Sequence, residues 1–119
     1  MAMPDASRPA IDPDVLESLF AMGDDALRAA LSAQLRADFT RLRQALQAGG
    51  TLEVGRAAHE LKGLAATVGA QRLADMAQSV DAVAEGLPPA MLAALVAPLV
   101  KETDAVLDFL AQIAKEKPA

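Results

Sequence analysis

The sequence predicts an all-α fold: an antiparallel, up-down-up-down four-helix bundle preceded by a short additional helix. Three observations carry this. Alanine and leucine, together with Glu, Gln, Lys and Arg, make up much of the chain, and these residues favour helix. Apolar residues recur every three or four positions through four long segments. Glycine or proline turns separate those segments, and no Val-Ile-Thr-Tyr run with period two suggests a strand.

Residues 1–11 read as a disordered lead, with prolines and polar residues. Asp12 followed by Pro13 gives an N-cap and a first-turn proline. A short helix then runs to about Ala21, with Val15, Leu16, Leu19 and Phe20 apolar, and Gly23 stops it. Asp24 caps the second helix, and Asp25 suits its positive N-terminal end. Leu27, Leu31, Leu35, Phe39, Leu42 and Leu46 give that helix one apolar stripe, and Gly49-Gly50 ends it. Thr51 is expected to cap the third helix, with Glu53 in its first turn and Gly69 as its stop. The fourth, from about Ala70 to Glu85, offers Leu73, Met76, Ala77, Val80 and Val83 or Ala84 to the core. Gly86 closes it and Pro88-Pro89 opens the fifth. There the stripe is read as Leu92, Leu95, Leu99, Val106, Leu110 and Ile113. Pro98 falls inside it and removes one backbone bond. The stripe keeps its phase across the proline, so one kinked helix is expected rather than two. The domain is drawn over residues 12–116, with 117–119 as a frayed tail.

Composition excludes several functions. The 119 residues suit one domain, and 53% are hydrophobic, enough for a core. There is no cysteine, so thiol catalysis and disulfides are out. A single histidine cannot build a Cys/His zinc site, and no metal site is expected. A net charge of −5 argues against nucleic acid as the main partner. No signal peptide or membrane span is read, so a cytoplasmic protein is expected. No carboxylate pair, Ser-His-Asp order or nucleotide loop marks an enzyme with its own turnover.

What remains is His59. Ala58, Leu61, Ala65 and Val68 form the apolar face of its helix at roughly 100° per residue, and His59 lies off that face. Gly55, Arg56, Lys62, Gly63 and Ala66 fall within roughly 60° of it. One imidazole therefore points outward between two cations, bordered by small residues. A lone surface histidine means little by itself. Gly63 changes the weighing, because glycine inside a helix costs about 1 kcal/mol relative to alanine. In a chain this rich in alanine, close approach of a bulky group is a reason for it. Gly55 hints at the same more weakly, and tight helix packing accounts for it equally well. Phosphoryl transfer to the imidazole fits this setting. Neutral, nucleophilic histidine is well populated near pH 7, and a nearby lysine can neutralise the phosphoryl charge.

His59-Glu60-Leu61-Lys62-Gly63, then Gly69, then Leu73, resembles the histidine-containing phosphotransfer (HPt) domain of two-component phosphorelays. The motif covers about 25 residues, and helix order and length extend the likeness to residues 12–116. The resemblance implies that His59 is the phosphoacceptor, taking a phosphoryl group from a receiver-domain aspartyl phosphate and passing it to another. Lys62 would hold the phosphoryl oxygens, with Arg56 assisting, and Gly63 would keep the approach clear. No cofactor is implied on this chain, since Mg²⁺ belongs to the receiver. The partners implied are response-regulator receivers and a hybrid histidine kinase. The receiver would dock against the second and third helices and the short first one.

Some members of the family carry a glutamine near position 81 that bonds the histidine ring. This chain has Asp81 there, and Gln78 one turn earlier on the same face. Either is a candidate to accept a bond from Nδ1–H and leave Nε2 free. A solvated carboxylate is an equally good reading of Asp81. Arg41, Arg43, Lys101, Glu102 and Asp104 read as solvated charge. A docking adaptor without phosphotransfer is the alternative function, and His59, Lys62 and Gly63 together argue against it. A kinase dimerisation region is a third reading. The chain has helices enough to close its own bundle, so a monomer is expected.

Overall fold

A computed structural model describes residues 9–21 and 23–115. Five α-helices follow one another: α1 (Pro13–Phe20), α2 (Asp25–Ala48), α3 (Thr51–Val68), α4 (Gln71–Val83) and α5 (Pro89–Lys115). A 3₁₀ turn, Ala84–Gly86, continues α4. No strand occurs among the described residues. Helix α3 packs on α2 and α4, and α5 packs on α2 and α4, so α5 lies across the bundle from α3.

The helix starts follow local chemistry. The Asp12 carboxylate accepts from the Asp14 amide ahead of Pro13, and Asp24 accepts from the Leu27 amide, each at 2.9 Å. Both occupy orphan donors of a first turn. Thr51 does not cap α3 as expected. It is the first helical residue, and Gly50 occupies the cap position with no side-chain bond. Gly69 ends α3 in the left-handed region at φ 85°, the conformation glycine adopts without a Cβ penalty.

Gly69 also joins α1 to the bundle. The Asp12 amide donates to the Gly69 carbonyl at 2.8 Å, and Val15 packs directly over the glycine. Ile11, drawn in sequence as the last residue of the lead, is fully buried with Leu16 and Phe20. The rest of the lead, residues 1–8, and the tail from 116 lie outside the described residues.

The core holds Leu35, Phe39, Leu42 and Leu46 of α2 and Val54, Ala57, Ala58, Leu61, Ala65 and Val68 of α3. From α4 come Leu73, Ala77 and Val80, then Ala84, and from α5 Leu92, Val96, Leu99, Val106 and Leu110. Two expected stripe positions are exposed. Leu27 sits in the first turn of α2 and covers Gly23 instead of the core. Leu95 is 43% exposed, because Val96 takes the inward place in that turn of α5. Ala84, not Val83, is the buried member of its pair. Helix α5 runs unbroken through Pro98, which is exposed, as is Ala94, whose carbonyl the proline leaves unbonded. Water can reach that carbonyl, so the helix continues.

Several charges read as solvated in fact tie helices together. Arg43 of α2 pairs with Asp104 of α5, and Arg72 of α4 with Glu102 of α5 at 2.9 Å. Arg41 of α2 pairs with Glu60 of α3. Among the described residues, no helix is long and apolar enough to cross a membrane.

Candidate functional site

The rotation of α3 fixes the site. Ala58 and Leu61 have no solvent exposure, and neither do Ala65 and Val68 further along. Burying that stripe turns His59, which lies between Ala58 and Leu61, outward, and its side chain is 70% exposed. Helix α4 is held by Leu73, Ala77 and Val80 in the same way. Asp81, next to buried Val80, then faces α3 and is 26% exposed.

These two rotations bring together groups 22 residues apart. His59 Nδ1 lies 2.9 Å from Asp81 Oδ2. Lys62 Nζ donates to the same oxygen at 3.3 Å. The hydrogen bond from His59, aided by that from Lys62 and opposed by partial desolvation, holds the Asp81 carboxyl below the usual carboxylate range. Asp81 is therefore ionised at neutral pH and can only accept. In the neutral ring the proton must then sit on Nδ1, and Nε2 carries the free lone pair. Gln78, the other candidate, is exposed and makes no hydrogen bond among the described residues.

Lys62 lies beside His59, and its ammonium pairs with Asp81. Arg56 is exposed on the His59 face and has no ion pair or hydrogen bond among the described residues. A Cβ built at Gly63 would meet nothing within 4 Å, so the surface one turn beyond His59 is open. At Gly55 a Cβ would meet only Ala84 Cβ at 3.6 Å, an ordinary contact between α3 and the 3₁₀ turn.

One neighbour escaped the sequence reading. Glu60, adjacent to His59, is gripped by Arg41 from α2, which lowers the Glu60 carboxyl below its usual range. The two residues are 19 apart in sequence, and only the α2–α3 packing reveals the pair.

The fold and site together define a helical bundle that presents one exposed imidazole, its inner nitrogen held by a carboxylate. The Hpt domain model matches residues 26–116, and the chain belongs to that family. The family carries phosphoryl groups on histidine in two-component signalling. No curated protein and no solved structure matches the chain.

Proposed function

We propose that this chain is a phosphorelay intermediate in which His59 takes a phosphoryl group from a receiver aspartyl phosphate and passes it to another receiver. The observation that carries the proposal is the 2.9 Å contact between His59 Nδ1 and Asp81, which leaves Nε2 free on an exposed side chain. Nε2 attacks phosphorus in line, the P–O bond to the receiver aspartate breaks, and the carboxylate leaves with its electron pair. Lys62, at the same edge, neutralises the arriving phosphoryl oxygens, and Arg56 adds charge from the preceding turn. Open space at Gly63 lets the receiver's active-site loops approach.

In this reading the chain is a carrier and not a kinase, and the receiver supplies the acidic pocket and its Mg²⁺. Helices α2 to α5 form an antiparallel up-down-up-down bundle in the cytoplasm, and the receiver docks over α2, α3 and α1. A hybrid histidine kinase and a response regulator are the partners on either side.

Incubation with a phosphorylated receiver domain tests this. Acid-labile, alkali-stable phosphate should appear on wild type and be absent from His59→Gln. No label with any receiver of the same organism sinks the carrier reading. Label that persists in His59→Gln sinks the site.

A further inference from the structure

Asp81 Oδ2 serves two groups at once, His59 Nδ1 at 2.9 Å and Lys62 Nζ at 3.3 Å. A group that merely oriented the ring would not need a charge, and a neutral amide would suffice. A carboxylate does something further once Nε2 is phosphorylated. The ring then carries phosphorus on Nε2 and a proton on Nδ1, and is cationic. Loss of that proton would leave a neutral phosphoimidazole, from which phosphorus can depart only by expelling an imidazolate, a poor leaving group. Retention of the proton lets the P–N electron pair return to Nε2 and release neutral imidazole. Asp81 opposes the first outcome and favours the second, because an adjacent carboxylate stabilises the cationic ring.

The same oxygen also holds Lys62 back before the phosphoryl group arrives. A phosphoryl group offers Lys62 a stronger, doubly charged partner. Its departure frees Asp81 Oδ2 for the ring alone, at the moment the ring becomes cationic. Lys62 is 33% exposed on a flexible stem, so this handover needs no backbone movement.

We infer that Asp81 keeps the Nδ1 proton in place through both half-reactions, making His59 a fast, reversible donor and not a long-lived store. The inference rests on His59 as the phosphoacceptor. In the outward step the acceptor aspartate attacks phosphorus, the P–N bond breaks, its electron pair returns to Nε2, and the Nδ1 proton never leaves. Asp81 is thus a positioning residue, acting on phosphorus only through the ring.

The test uses the full chain loaded chemically with phosphoramidate, so the loading step requires no cognate partner. Asp81→Asn keeps an oxygen acceptor for Nδ1–H and removes the charge, and Asp81→Ala removes both. Lys62→Ala serves as the contrast. The half-life of phosphohistidine at neutral pH, and its single-turnover transfer to a receiver, are the readouts. Asp81→Asn should lengthen the half-life and slow the transfer, each by about tenfold, the scale of one lost charge-assisted hydrogen bond. Lys62→Ala should not lengthen the half-life. If Asp81 acted only through Lys62, Asp81→Asn would no longer lengthen the half-life in a Lys62→Ala background. A half-life in Asp81→Asn equal to or shorter than wild type overturns the inference. Chemical loading of wild type without transfer to or from any receiver sinks the relay reading, while the half-life comparison still decides the role of Asp81. Asp81 is partly solvent-exposed, and circular dichroism checks that each variant is folded.

Discussion

Replacing Gly63 by alanine should make the protein more stable and its chemistry slower. Gly63 is helical, exposed and one turn beyond His59. A Cβ there would meet nothing within 4 Å, so alanine introduces no clash in the free protein. Alanine is favoured over glycine inside a helix by about 1 kcal/mol, chiefly through the entropy of the unfolded chain. That corresponds to a rise in melting temperature of about 4–8 °C for a domain of this size, read by thermal circular dichroism. The larger Gly63→Gln should keep most of this gain, since glutamine is also a good helix former. Its side chain would stand where the partner approaches, so its single-turnover phosphotransfer should fall by tenfold or more, roughly 1.4 kcal/mol or more of barrier. A destabilised Gly63→Ala would refute the stability argument. Wild-type transfer by Gly63→Gln would refute the claim that the glycine is kept for access.

Other outcomes follow from the same geometry. Gly69→Ala should lose about 1–3 kcal/mol in urea unfolding, because φ is 85° and the new Cβ would lie 2.7 Å from Val15 Cβ. Leu61→Ala, a cavity directly beneath the His59 helix face, should cost about 2–5 kcal/mol by the same measurement. Arg41 holds the Glu60 carboxyl below its ordinary range, so the folded value lies below the unfolded one. The stability this pair contributes is present above the unfolded value and is lost as pH falls through the folded one. The difference in melting temperature between wild type and Glu60→Gln should therefore be constant from neutral pH to about 5 and shrink below about 4. Both side chains are exposed, so that difference is small, and one that grew on acidification would contradict the pairing.

Much of the fold is legible because burial and helical period coincide. Ala58, Leu61, Ala65 and Val68 recur on one face in sequence and are all fully buried. The caps at Asp12 and Asp24 and the stop at Gly69 are local chemistry, readable within four residues. The sequence does not separate Leu95 from Val96, because these two residues, one position apart, fit the α5 period about equally well. Only the packing of α5 against the rest of the bundle selects Val96. The site divides in the same way. His59, Lys62 and Gly63 share one helix face and could be grouped by spacing alone. The choice between Asp81 and Gln78 could not be made so, since both lie on one side of α4. It depends on how α4 is rotated against α3, which Leu73, Ala77 and Val80 set through the core. The Arg41–Glu60 and Arg43–Asp104 pairs span 19 and 61 residues and leave no local trace.

The central claim is that His59 carries the phosphoryl group on Nε2 while Asp81 retains the Nδ1 proton. Nitrogen-15 and phosphorus-31 NMR on the ¹⁵N-histidine-labelled chain, phosphorylated by a receiver domain, tests it most directly, because the chain has one histidine. The account predicts phosphorus coupled to Nε2 and a protonated Nδ1. Phosphorus coupled to Nδ1, or phosphate on any other residue, would contradict it.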